Sequence, residues 1–359
     1  MRSSLSIELR EASYPVGVDY RPEQVSGIDQ SELPVFNQDW WIDIARASSE
    51  YREAKVVHGD VTIGRLPYVL SRNRIGLARG LDPHWSHLGG PIVDRRLSRT
   101  KQANVIRSLL EQLPRWVSFN FVCNPDLSYA DLVRSAFSES GFDHMTQVTY
   151  LRLPSEDNVL NVRKSKHKGH IKRAAKELDC VDVSAKEFVQ FFETNLKARG
   201  KTSYAPLDTL TWLIEEAISR GQARAIAARP CSLNLRGYAG RSAPYDAAIV
   251  YVWDYNRCYY WLSTLGLPSA DNSHTKPHPD AIKLLAVRAM EDAQAMNLVF
   301  DADGVTTSGT ENLYRNMFGL REEQCRDVFY RATMLESLHQ RCKQQFKSIF
   351  AKPNDSSVF

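Results

Sequence analysis

No part of this chain runs apolar for the roughly 18 residues that a membrane-crossing helix needs, so nothing in the sequence is expected to span a bilayer. Cysteine is scarce, with 6 in 359 residues, at Cys123, Cys180, Cys231, Cys258, Cys325 and Cys342. No pair has zinc-knuckle or redox spacing, which argues against a disulfide framework and against a metal site. The cysteines read as reduced thiols of a cytoplasmic protein. The opening residues MRSSLSIELREAS hold no apolar stretch of signal-peptide length. No GxxxxGK[ST] loop occurs, so nucleotide hydrolysis is not expected. A locally supported serine–histidine–acid or cysteine–histidine signature is missing too. Excess charge is also lacking, since the net value is only +4, and any basic cluster must be local.

What is present suits a well-packed globular chain. Hydrophobic residues make up 43% and aromatics 10%, enough for a dense core and too much for wholesale disorder. The length allows two domains.

The order of elements repeats although the identities do not. REAKVVHGD, VTIGRLPYVL and RIGLARGL read as strands, closed by Gly89-Gly90-Pro91. SRTKQANVIRSLLEQLPR follows as a helix with Val105, Leu109, Leu110 and Leu113 on one face, and Ser98 or Thr100 as its cap. WVSFNFVCN is a strand, YADLVRSAFSESGF a short helix ending at Gly141, and HMTQVTYLRLP a strand. The later half gives QARAIAARP, APYDAAIVYVW and NRCYYWLSTLG as strands, with a turn at Asp254–Arg257. PHPDAIKLLAVRAMEDAQAMN is a helix with prolines where its first turn tolerates them. LVFDADG, TENLYRNMFGL and CRDVFYRAT complete a second strand–helix–strand series. Two copies of one α/β unit explain this; a single large mixed domain is the alternative. The expected divisions are residues 1–153, 154–332 and 333–359. The last begins as an amphipathic helix striped by Leu335, Leu338, Cys342, Phe346 and Ile349.

Three stretches carry a resemblance. They are FNQDWWIDI at Phe36–Ile44, RKSKHKGHIKRAAKE at Arg163–Glu177, and LVFDADGVTTSGTENLYRNMFGL at Leu298–Leu320. Together they resemble the Fem-type branch of the GNAT acyltransferases. The first is similar to an aromatic helix opening the first copy, the second to a basic helix opening the second, and the third to a strand, acidic-glycine turn and helix ending in Phe-Gly. The resemblance implies an α/β fold of two tandem GNAT-like domains, each a mixed twisted sheet flanked by helices. It implies transfer of an aminoacyl or acyl group onto the amine of a small or peptide-like acceptor. The earlier copy would be structural or serve the acceptor, and the later one would bind the donor. The donor is a co-substrate, either aminoacyl-tRNA, acyl-coenzyme A or an acyl carrier protein, with no tightly bound cofactor. The protein would act as a monomer or homodimer. The coiled-coil hairpin of some members has no counterpart between Glu177 and Ala223, which speaks against a cell-wall precursor as acceptor.

Within that frame the strand ending in Ser263, Thr264 and Leu265 offers backbone groups to the donor. The next helix presents its N-terminal N–H groups, preceded or joined by His274, Lys276, His278 and Lys283. The same segment also reads as a solvated, proline-broken loop. No glycine lies between Gly266 and Gly304. The glycine-rich diphosphate loop of acetyl-coenzyme-A enzymes is therefore missing, which favours aminoacyl-tRNA or a carrier-bound acyl donor. Asp301 and Asp303 end a buried strand on one face by alternation and can take the proton of an acceptor ammonium; an ordinary Asp-Gly turn is the other reading. Tyr314 matches the tyrosine that protonates the leaving group, one residue farther from Gly319 than usual, or it is core.

RKSKHKGHIKRAAKE is an amphipathic helix with Ile171, Ala174, Ala175 and Leu178 on its apolar stripe. Lys164, Lys166, Lys168, Lys172 and Arg173 are expected to meet tRNA phosphates, or else form a solvated face. The aromatic interleaving of a single-strand reader is missing.

Overall fold

The protein is described here from a computed structural model covering residues 27–46, 50–72, 76–156, 159–160, 165–231, 245–267, 276–305 and 307–338. In chain order the elements are α1 (Asp39–Arg46), β1 (Tyr51–His58), β2 (Val61–Arg72), β3 (Ala78–Leu81), β4 (Ile92–Val93), α2 (Arg99–Glu111), β5 (Ser118–Val122), α3 (Ala130–Glu139) and β6 (Asp143–Arg152). The second half has α4 (Ser165–Glu177), β7 (Leu178–Asp182), α5 (Ala185–Ala198), α6 (Leu207–Ser219), β8 (Ala223–Pro230), β9 (Ala247–Trp253), β10 (Arg257–Leu265), α7 (Ala281–Ala295), β11 (Val299–Gly304), α8 (Ser308–Asn312) and β12 (Glu322–Arg331).

The expected mixed sheet flanked by helices is present, and the two halves share it. One 12-stranded sheet runs β1-β2-β3-β5-β12-β6-β11-β10-β9-β8-β7, with β4 beside β2. The order is nearly a palindrome. β3 and β5 are parallel, as are β10 and β11. Beyond each parallel pair lies an antiparallel strand from the other half, β12 beside β5 and β6 beside β11. β6 and β12 then pair antiparallel from Asp143 to Leu151. Each half thus lends its last strand to the other's stretch of sheet, and the position after Leu153 separates no sheets.

The packing interlocks in the same way. β2 lies against α2, where Gly64 leaves room for Val105, and Val105, Ile106, Leu109 and Phe121 belong to the core of the first half. α7 buries Leu285, Ala289 and Met290 against β9 and β10. The aromatic segment FNQDWWIDI, expected at the head of the first half, packs on the second. Trp41 meets the Trp261 ring at 4.9 Å and Phe36 meets Tyr259 at 5.0 Å. Ser98 occupies the N-cap of α2 without a side-chain capping bond. In contrast, α5 has a full capping box between Ser184 and Glu187. Cys123, Cys180, Cys231, Cys258 and Cys325 are free thiols. Among the described residues no helix is long and apolar enough to cross a membrane.

Candidate active site at the junction of the halves

β10 and β11 run together for only three rungs, Arg257–Tyr259 against Val299–Asp301. Beyond them β10 keeps its pairing with β9, from Leu262 to Leu265, after a bulge at Trp261. The strands therefore splay, and the β11-facing edge of β10 from Tyr260 to Leu265 leaves the ladder. Ser263 is exposed there, and Thr264 is buried, with its Oγ1 accepting from Asn195 Nδ2 at 3.0 Å. The Leu265 carbonyl accepts from Arg199. The Tyr260 hydroxyl is buried and meets no close hydrogen-bond partner among the described residues. Its ring stands 6.4 Å from that of Tyr314 and 5.6 Å from Phe318.

A buried chain of charges holds the base of this splay. Asp301 is fully buried. Its Oδ2 accepts from Arg257 Nη1 at 2.8 Å. Its Oδ1 accepts from Arg326 Nη2 at 2.9 Å, Thr149 Oγ1 at 2.6 Å and the Asp303 N–H at 2.9 Å. Arg257 also forks onto Asp126 through Nε at 2.5 Å and Nη2 at 2.7 Å. Arg326 Nη1 reaches Asp303 Oδ1 at 2.6 Å. One guanidinium thus grips both aspartates, which do lie on one face. Burial alone would raise both carboxyls, but the charges and hydrogen bonds around them outweigh it. Arg326 and Arg257 hold Asp301 below the ordinary carboxylate range, and His87 and Arg326 do the same for Asp303.

His87 belongs to the first half and was not singled out from the sequence. Its Nδ1 lies 3.0 Å from Asp303 Oδ2, and its ring stacks on Phe36 at 5.5 Å. Asp303 takes a left-handed φ of 73°, a strained setting for a non-glycine residue. The loop carrying His87 is anchored on β5. Asp82 Oδ2 accepts the Val122 N–H at 3.0 Å, and Gly89 donates to the Val122 carbonyl at 2.7 Å. A Cβ on Gly89 would collide with the Asp82 carboxylate. Burial pushes the Asp82 carboxyl up to about 7.

The structure brings Asp303, Tyr314 and Tyr260 of β10 to one place, whereas Thr264 and Leu265 at the end of β10 bond to Asn195 and Arg199. Tyr314 is buried on a π turn after α8. Burial and then the charge of Asp303 push its hydroxyl well above the usual phenol range. Asp301 is a different matter. Four donors enclose it, so the geometry gives it the role of anchoring two guanidiniums and leaves no open side for an acceptor amine. The N-terminus of α7 has no side-chain cap, and the acids beside it have other partners. Asp246 Oδ2 accepts from the His278 N–H at 3.1 Å, and Asp280 pairs with Lys283. His278 Nε2 lies 3.2 Å from Glu177. Lys276 is exposed beside this cluster, and His274 lies outside the described residues. On α4, Lys166, Lys172 and Arg173 face solvent, Lys168 is half-buried, and Lys164 lies outside the described residues.

The splay, the bulge and the shared sheet can be compared with known structures. No protein-family model and no curated protein matches the chain. Among solved structures, FemX superposes with a TM-score of 0.54 at 8% identity, over 89% of this chain and 94% of its own. This chain folds like FemX. The C-terminal domain of a putative lysylphosphatidylglycerol synthetase from Agrobacterium fabrum is similar at TM-score 0.51 and 12% identity, covering 86% of this chain and 92% of that domain. The mixed sheet flanked by helices that the sequence leads one to expect is the fold this chain shares with both.

Two outcomes follow. Asp301→Asn strands Arg257 and Arg326 and is expected to cost about 3–5 kcal/mol in urea denaturation; a loss under 1 kcal/mol would remove its anchoring role. Asp82 titrates higher folded than unfolded, so the stability it contributes is present below its unfolded value of 3.8 and is lost as pH rises to about 7. Asp82→Asn should match the wild type near the unfolded value and exceed it above neutrality. Parallel denaturation curves across that range would contradict this.

Proposed function

We propose that the chain is an N-acyltransferase that moves an aminoacyl or acyl group onto an amine, working where β10 and β11 part. The observation that carries this reading is the early parting of those strands after Tyr259 and Asp301, with Tyr314 beside the opening. In the reaction the neutral amine attacks the donor carbonyl carbon. The bond to the ribose oxygen or thioester sulfur then breaks. The edge of Tyr260–Leu265 seats the donor by backbone hydrogen bonds, and positioning supplies most of the rate. Tyr314, kept protonated by its surroundings, donates its proton to the leaving atom, and the proton that the attacking nitrogen sheds as the amide forms restores it. His87 takes the proton from the acceptor ammonium, oriented through Nδ1 by Asp303. Asp301 keeps Arg326, and through it Asp303, in place.

Aminoacyl-tRNA is the donor we favour. The exposed cations of α4 suit a phosphate backbone. The α7 N-terminus, where a coenzyme A diphosphate would seek N–H groups, has the carboxylates of Asp280 and Asp246 close by, and their charge opposes an anion there although neither caps the helix. Such a donor places the work in the cytoplasm. We read the two halves, 1–153 and 154–332, as copies of one unit that exchanged closing strands.

The test supplies pooled charged tRNAs, acyl-coenzyme A donors or both, with a mixture of amines, and reads products by mass spectrometry. Product from charged tRNA is expected, and Tyr314→Phe should lower turnover about a hundredfold with an unchanged melting temperature. Product from acyl-coenzyme A alone would remove the tRNA requirement. Salt-steep RNA binding with no product from either donor would make this an RNA-binding protein on the same fold.

A further inference from the structure

A cleft of about 760 Å³ opens beside the first half, between the β2–β3 ladder and the loop that carries His87. Three aromatic side chains wall it, Trp85, Trp116 and Tyr204. Trp116 is 55% exposed and Tyr204 71% exposed, an unfavourable setting for large rings unless something covers them. Trp85 is buried and held at a left-handed φ of 66°, strain that ordinary packing does not need. Its Nε1 donates to the Pro206 carbonyl at 3.1 Å, and its own carbonyl accepts from Trp261 Nε1 at 2.8 Å. Its ring lies 4.7 Å from Tyr204. Trp85 is two positions from His87, so the cleft wall and the junction site are parts of one loop.

Both signs of charge line the same space. His84 and Glu50 stand 3.7 Å apart near the loop. Burial, opposed by Glu50, holds the His84 imidazole below its ordinary value, so a neutral ring faces the cleft at neutral pH. Arg72 lies at the other end, opposite Ala78, while Val69 is opposite Leu81. The Leu70 N–H donates to the Glu50 carbonyl at 2.8 Å, so Glu50 sits beside Leu70, two strand residues or about 7 Å from Arg72, the length of a small zwitterion. Acid at one end, guanidinium at the other and rings between are what a zwitterion with an apolar side chain would meet.

We propose that this cleft binds an amino acid or dipeptide carrying a free amine, a free carboxylate and an apolar side chain. Arg72 holds the carboxylate, Glu50 and His84 face the amine, and Trp116 and Tyr204 cover the side chain. Calling this ligand the acceptor rests on the transferase reading; the binding itself does not.

The probes are phenylalanine, Gly-Phe and Phe-Gly, each also N-acetylated and C-amidated, titrated into the full chain by calorimetry. Saturable binding of at least one free zwitterion is expected. Tyr204→Ala and Trp116→Ala, both at exposed positions, should weaken it at least about fivefold with melting temperature unchanged. Arg72→Ala should weaken the free acid about fivefold and leave the amide untouched. No heat from any free zwitterion, equal binding of the doubly blocked form, or indifference to Arg72→Ala and Tyr204→Ala would overturn the proposal. Transfer onto amines that do not compete with the bound probe would end the acceptor assignment alone. Binding without any transfer would leave this site standing and sink the transferase reading.

Discussion

Everything at the centre of this molecule depends on a buried alternation of carboxylates and guanidiniums. Asp126, Arg257, Asp301, Arg326 and Asp303 succeed one another in space, and His87 closes the series. The chain begins in a loop of the first half, crosses β10, β11 and β12 of the second, and returns to a loop of the first. Each buried ion has partners on two sides, which is the condition under which charges can be enclosed without a large penalty. Removing one member leaves others unpaired, so the arrangement specifies how the halves sit together as well as how firmly.

The exchange of closing strands gives that network its geometry. β12 stands between β5 and β6, so Arg326 enters from the strand next to the first half. β6 stands beside β11, so Thr149 faces Asp301. The splay of β10 from β11 begins where the network ends. One side of the opening is therefore rigid, and the other offers an unpaired strand edge. A wall of paired charges thus faces an open strand edge.

Much of this was legible in the sequence, because local pattern decides strands and helices. The apolar run in APYDAAIVYVW marks β9, and Leu285 and Ala289 mark the buried face of α7, whereas Met296 is exposed just past the end of that helix. The alternation of Asp301 and Asp303 places both carboxylates on one face. Their partners were not legible. Arg257 is 44 positions from Asp301 and Arg326 is 25, and nothing local pairs them. The loop DPHWSHLGGP reads as a turn closed by Gly-Gly-Pro, yet it carries His87 and Trp85 to the second half. Two histidines and a tryptophan inside so short a turn were the available signal. The exchange of β6 and β12 could not be read at all, since either neighbour satisfies the same alternation. The aromatic segment at Phe36–Ile44 was legible as a helix, but its docking surface across the other half was not.

The account's central claim is that one site is built from both halves, with Asp303 orienting His87. A double-mutant cycle on the transfer rate tests it most directly, using His87→Ala, Asp303→Asn and the pair, with melting temperatures measured alongside. The account predicts that the double variant is no slower than the slower single one, since both act through one imidazole. Losses that simply multiply, or a full rate in His87→Ala, would contradict it.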